Sequence, residues 1–224
     1  MSIDALVFDV LGTLVDESAG IRAGIRRLDP SLTEHEIDRL TGLWQEHINS
    51  EQRRVCTRPP LRHQRHPGPG SGRARGRGGG ADPDSARVAE PAAAGRRLPP
   101  WPDRVTGLNS LADRFPVIGL SNAGRPALLE LSARAGLRWH LLLSAVEAKA
   151  HKPDPAVYRL AVDASGIPPQ RLLMVAAHAW DLRGARDTGT RCAYVARPVG
   201  EPPSPAGDFD LHVDSLPALA GQLG

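Results

Sequence analysis

Apolar positions follow two rhythms along this chain. Residues 3–10 (IDALVFDV) form a short apolar, β-branched run closed by Gly12, too brief for a helix and suited to a buried strand. From Ser18 to about Arg54 the spacing changes to threes and fours, with Ile21, Ile25 and Leu28 on one face. Within it, Leu32-Thr33-Glu34-His35-Glu36 offers Thr33 as a helix N-cap with acids in the first turn. From Trp101 onward, short apolar runs (Pro116 to Leu120, Leu141 to Ser144, Leu172 to Ala176, Arg191 to Ala196) alternate with helical segments such as Arg125 to Ala135 and Pro155 to Ala164. That alternation predicts an α/β fold with a doubly wound parallel sheet. A proline-rich loop, Pro198 to Pro205, precedes a short strand and terminal helix in FDLHVDSLPALAGQL. No internal repeat is visible, and 224 residues suffice for one α/β domain or a domain with an insert.

Between these patterned stretches the rhythm is lost. Residues 53–100 contain no aromatic side chain and almost no large apolar one, so residues 55–97 cannot bury enough surface to offset their ordering. Three readings compete for 55–97: a flexible linker, an arginine-glycine RNA-binding tract suggested by GRARGRGGG, or translation in the wrong frame of a GC-rich gene. The last is favoured, because Arg, Gly, Pro and Ala all have GC-rich codons and the helical pattern stops near Arg54 and resumes near Leu98.

Charge follows the same division. Residues 51–100 hold 11 Arg and no Lys against four acids, a local net of about +7, which leaves about −4 for the rest of a chain whose net charge is +3. The basic balance therefore belongs to one segment, and a nucleic-acid partner is not expected from it. With only Cys56 and Cys192, far apart, neither a disulfide framework nor a zinc site is expected. The chain shows no secretory signal and no apolar run near 18 residues, so a cytoplasmic protein with no membrane partner is the expectation.

In a doubly wound sheet, ligands bind beyond the carboxyl ends of the strands. Four sets of polar residues end apolar runs: Asp9 with Thr13, Ser121 with Asn122, Lys152 in AHKPDP, and Asp181 in MVAAHAWD. In this order, FDVLGTLVD, GLSN, HKPDPAVY and VAAHAWDLRGARDTG resemble the four motifs of the haloacid dehalogenase superfamily, closest to its type II 2-haloacid dehalogenase-like branch. The resemblance covers residues 1 to about 50 and about 98 to 224. It implies a Rossmann-like core, residues 1–17 and 101–224, with a helical cap inserted after the first strand at residues 18–100, partly degenerate because of 55–97.

A carboxylate needs no deprotonation at neutral pH, so Asp9 can attack carbon or phosphorus directly. Thr13 can hydrogen-bond that carboxylate or stabilise its own turn. Lys152 is one of only two lysines beside 26 arginines, and a compact ammonium suits a tight site between anions, although a surface role beside Pro153 is the plainer alternative. Ser121 and Asn122 fit substrate carboxylate or phosphate recognition, or capping of the following helix. The resemblance gives Asp181 the role of orienting the lysine, or of holding magnesium together with Asp9 in the phosphatase branch; an N-cap is its alternative. His178 and Tyr158 are further substrate-side candidates, each also readable as a packed side chain.

Leu11 stands where phosphatases of the superfamily typically carry a second Asp, which protonates a basic leaving group. A halide needs no proton, so Leu11 points to hydrolytic dehalogenation of a short 2-haloalkanoate, a small-molecule substrate, with no cofactor. The dehalogenase branch has an aromatic at Leu11, an arginine at Gln45, and a serine and an asparagine at Ala176 and His178; Arg39 and Arg53 are the nearby alternatives for the arginine. A magnesium-dependent phosphatase and a catalytically impaired protein with a disordered arginine-glycine segment are the alternatives. A homodimer is an open option.

Overall fold

The computed structural model describes residues 2–57, 97–203 and 208–224. Strand β1 (Ala5–Phe8) is completely buried and lies at the centre of a six-stranded sheet in the order β3-β2-β1-β4-β5-β6. Its neighbours are β2 (Val117–Ser121) and β4 (Leu172–Ala176), with β3 (Leu141–Ser144), β5 (Arg191–Val195) and β6 (Leu211–Val213) outside them, and every pairing is parallel. This is the expected doubly wound α/β architecture.

Both faces of the sheet are covered, which is why its strands read as continuous apolar runs rather than as alternating ones. Successive side chains of β1 point to opposite faces. Leu6 and Phe8 join a cluster with Leu108 and Leu111 of α3 (Arg104–Ala112), Leu128 and Leu131 of α4 (Arg125–Ala135), and Leu216 and Leu219 of α7 (Leu216–Gln222). Ala5 and Val7 join Val157 and Ala161 of α5 (Pro155–Ser165) and Leu182 and Ala185 of α6 (Ala179–Arg186). Register then aligns the strand ends, because Phe8 pairs with Gly119 on one side and with Val175 on the other.

The chain leaves the sheet into α1 (Glu17–Leu28) and α2 (Glu34–Thr57). Asp16 caps α1 by accepting from the Ala19 amide at 2.9 Å. Thr33 caps α2 as expected: the Glu36 amide donates to its hydroxyl oxygen at 3.4 Å, while the Thr33 amide donates back to the Glu36 carboxylate at 2.8 Å. Departing and returning chains run side by side, with Val15 bridged to Pro100 and the Asp16 amide donating to the Pro99 carbonyl at 2.7 Å. Helix α2 continues through Thr57, and the readings made of residues 55–97 otherwise lie outside the described residues, apart from Arg97. Among the described residues no helix is long and apolar enough to cross a membrane.

Candidate functional site

Asp9 follows β1 directly, its amide donating to the Val175 carbonyl at 3.0 Å, so the central strand pairing sets its backbone. The chain then turns sharply through Gly12, whose φ of +78 is costly for any residue with a Cβ. The turn carries Thr13 back over the carboxylate. Its hydroxyl donates to Asp9 Oδ2 at 2.7 Å and accepts from the Ala177 amide at 3.0 Å. One side chain thus ties the turn to the end of β4 and fixes one carboxylate oxygen.

The other oxygen faces Lys152. Its Nζ lies 3.0 Å from Asp9 Oδ1 and 2.8 Å from Asp181 Oδ2, and Tyr158 donates its hydroxyl to Asp181 Oδ1 at 2.7 Å. Burial works against the Lys152 ammonium, but the Asp181 and Asp9 carboxylates outweigh it and hold its pKa above the ordinary lysine value. Burial pushes the Asp181 carboxyl up, with the Asp9 charge adding to it, while Lys152 and Tyr158 pull it back. Burial and the Asp181 charge raise Tyr158 far above its usual value, so its hydroxyl acts as a donor. Lys152 is not a surface residue, and Tyr158 is at once a buried side chain and a polar member of this row.

Ser121 is completely buried at the end of β2, and its Oγ accepts from the Ala123 amide at 3.2 Å, which leaves its hydroxyl proton available. Asn122 Oδ1 accepts from the Lys152 amide at 2.8 Å and so positions the lysine backbone. The capping alternatives are not what the structure adopts: Gly124 caps α4 without a side-chain bond, and Asp181 lies within the first turn of α6, where His178 is the cap residue, also without a side-chain bond. His178 stacks on Trp180 with ring centroids 6.0 Å apart and lies across the nucleophile turn, its Nε2 2.5 Å from where a Cβ on Gly12 would fall. Leu11 is half-buried, packed against the core beside that turn. Arg39 and Gln45 are exposed on α2, and the side chain of Arg53 lies outside the described residues.

Glu17 was not anticipated. Half-buried at the first position of α1, it has its carboxyl pushed up to about 7 by burial and by the Asp9 charge. The signal was present as the acid pair Asp16-Glu17, of which one member caps the helix and the other has no such use.

The donor set fits magnesium poorly. Both oxygens of Asp181 already accept hydrogen bonds, from Lys152 and Tyr158, and the ammonium occupies the space between the two carboxylates that a cation would share. Among the described residues no group of three or more His, Cys, Asp or Glu is arranged to hold a metal ion.

Comparison with known proteins matches this arrangement to one family. A family profile described as haloacid dehalogenase-like hydrolase covers residues 3–189. The (S)-2-haloacid dehalogenase 4A of Burkholderia cepacia is 31% identical over 130 residues, 57% of this chain and 56% of that protein. The (S)-2-haloacid dehalogenase H-109 of Pseudomonas putida is 29% identical over 209 residues, 87% of this chain and 86% of that protein. A phosphoserine phosphatase of Thermus thermophilus is 35% identical over 125 residues, 54% of this chain and 50% of that protein. The chain thus spans about half the length of several curated relatives it matches. The crystal structure of an L-2-haloacid dehalogenase superposes with a TM-score of 0.80 at 28% identity, covering 100% of both chains. With its motifs gathered at the carboxyl ends of a parallel sheet and a profile match over most of its length, the chain belongs to the haloacid dehalogenase-like hydrolase family.

Proposed function

We propose that this chain is a hydrolytic 2-haloacid dehalogenase that works through an ester on Asp9. A carboxylate oxygen of Asp9 forms a bond to C2 of a short 2-haloalkanoate, and the C2–halogen bond breaks with its electron pair leaving on the halide. Water then attacks the Asp9 carboxyl carbon, releasing the 2-hydroxyacid and leaving a solvent oxygen in the carboxylate. Thr13 and Lys152 aim the nucleophile. The Lys152 charge also stabilises anionic groups beside it, while Asp181 and Tyr158 hold the lysine in place. Ser121, Asn122 and His178 line the approach as the groups that meet the substrate carboxylate or the halide.

The observation that carries this reading is Leu11 beside an Asp9 held by Thr13 and Lys152. An apolar side chain there protonates nothing, which halide tolerates and an alkoxide does not. The reaction needs no cofactor. The folding units are read as a core of residues 1–17 and 101–224 and a cap of residues 18–100.

Incubation with 2-chloropropionate should release halide, and Asp9→Asn should abolish the release. Single turnover in labelled water should place the label in Asp9. Halide release from Asp9→Asn at the wild-type rate sinks the nucleophile assignment. The likeness to a phosphoserine phosphatase supports a second reading, a magnesium-dependent phosphohydrolase using Asp9 and Asp181, against which stands the engagement of both Asp181 oxygens by Lys152 and Tyr158. Hydrolysis of an aryl phosphate, whose leaving group makes Leu11 tolerable, with strict dependence on Mg²⁺, would favour it.

A further inference from the structure

Behind the nucleophile turn lies a second buried charge cluster that the proposed reaction does not use. Arg197, just beyond β5, has a side chain only 6% exposed. Its Nε donates to the Thr13 carbonyl at 2.9 Å, and its Nη1 pairs with Asp103 Oδ2 at 3.0 Å. The same Asp103 oxygen accepts from the Leu216 amide at 2.9 Å, which anchors the cluster to the start of α7. The Arg197 guanidinium also lies over the Trp101 ring, 5.7 Å from its centroid, and Trp101 Nε1 donates to the Gly12 carbonyl at 3.0 Å. Two consecutive carbonyls of the turn, those of Gly12 and Thr13, are therefore held by side chains.

As a stabilising device this cluster is inefficient. Among the described residues, Arg197 Nη2 and Asp103 Oδ1 are buried without hydrogen-bond partners, and apolar residues of similar volume would fill the same space without that cost. What apolar residues could not supply is two directional donors aimed at the backbone of a turn whose Thr13 hydroxyl orients Asp9. Trp101 and Asp103 also stand on the segment returning from the helices α1 and α2, adjoining Pro100 where it bridges Val15.

We propose that Arg197 is a positioning residue that fixes the Gly12–Thr13 turn, and through Thr13 the attack angle of Asp9, while fastening that turn to the chain returning from the cap. The inference rests on Asp9 being the nucleophile. The guanidinium is needed for its shape, because it binds a carbonyl and a carboxylate at the same time from different nitrogens, whereas an ammonium keeps the charge but offers a single nitrogen.

The test compares Arg197→Lys, Arg197→Gln and a control, Leu219→Ala, a buried truncation on α7 outside the turn, with the full chain and 2-chloropropionate. Arg197→Lys should retain the fold and lower kcat roughly tenfold or more, as expected for a misaimed nucleophile, with KM within about twofold of wild type. Single-turnover formation of the Asp9 ester should slow by the same factor. Leu219→Ala should lower the melting temperature at least as much while leaving kcat at 25 °C within about twofold of wild type. A wild-type kcat in Arg197→Lys overturns the proposal, as does a fall in kcat that tracks melting temperature across all three variants. Arg197→Lys decides the matter if Arg197→Gln does not fold. Halide release unaffected by Asp9→Asn would remove the underlying nucleophile reading instead, which separates the two failures.

Discussion

Two clusters of opposite charges in this chain look alike on paper and differ physically. Lys152 lies between Asp9 and Asp181 at the sheet, with side-chain exposures of 1% for Lys152, 9% for Asp9 and 1% for Asp181. Arg22 and Arg26 meet Glu34 and Asp38 between α1 and α2, where Arg22 is 26% and Glu34 66% exposed. In the first cluster little solvent reaches the charges, so each depends strongly on the others. In the second, solvent screens the attraction and can stand in for either side. The apolar contacts divide the same way. Both sheet faces are sealed, whereas among the described residues α1 and α2 flank an open groove of about 510 Å³ lined by Ile25, Leu28, Leu32, Leu40, Leu43 and Trp44 together with Asp29 and His47, with Leu43 51% exposed. The proposed catalytic geometry thus rests on the sealed sheet, while among the described residues the α1–α2 face is more open to solvent.

The largest expected effect comes from removing the ammonium between the carboxylates. Lys152→Met should destabilise the fold by about 3–5 kcal/mol at pH 7 in urea titrations, because two nearly inaccessible carboxylates are left facing each other. The loss should shrink at acid pH as one of them takes up a proton. In wild type the sign runs the other way for Lys152 itself: its pKa is raised above 10.5, so its contribution is complete below that value and is lost as pH rises through the raised one. A Lys152→Met protein as stable as wild type would mean that the two clusters do not differ as argued.

Next in size is the apolar counterpart. Leu6, wholly buried in β1, should cost about 2–5 kcal/mol on truncation to Ala, and Leu43 on α2 within about 0.5 kcal/mol. Equal costs measured by chemical denaturation would show the α1–α2 face to be as tightly packed in solution as the sheet.

The same division governs what could be read from the sequence. Strands β1 to β5 were legible because burial on both faces makes them uninterrupted apolar runs. Asp9, Ser121, Lys152 and Asp181 were legible because each ends such a run or sits in a motif of fixed order. Helix α3 was not foreseen: RVTGLNSLA contains Gly107, Thr106 and Asn109, poor helix formers, and it is held by Leu108 and Leu111 in the core. Arg197 gave no local signal at all, since its partners Thr13 and Asp103 lie 184 and 94 residues away. Glu17 was hidden for a related reason: its carboxyl is raised by burial in the folded chain and by the charge of Asp9, on the far side of the Gly12 turn. Motif order reports which residues meet, but not which of their neighbours hold them.

Glu17 sits on the boundary between the two regions and should give a smaller, pH-dependent effect. Its folded-state pKa of about 7, against an ordinary 4.5, means that the folded chain holds a proton the unfolded chain releases. Its contribution to stability is therefore fully present below about 4.5 and is lost as pH rises through about 7. Glu17→Gln should flatten the stability profile across that window, and halide release near neutral pH should lose the part of its pH dependence that follows this group. An unchanged profile in both measurements would place Glu17 outside the electrostatic reach of Asp9.

The smallest expected effect lies wholly within the exposed cluster. Glu34 accepts from both Arg22 and Arg26, at 2.8 Å and 2.6 Å, and the hydrogen bond from Arg26, with the charges of both arginines, holds its carboxyl below the usual range. Geometry alone would make it the keystone of the α1–α2 contact. Solvent argues otherwise: two long side chains must be immobilised to keep bonds that water offers freely, and Asp38 remains beside Arg22 when Glu34 is neutralised. Glu34→Gln should accordingly leave the urea midpoint unchanged within error, and whatever small difference exists should vanish in 1 M salt, where screening is complete over a few ångströms. A midpoint shift approaching that of Lys152→Met, persisting in salt, would show that the α1–α2 pair is shielded from water in solution.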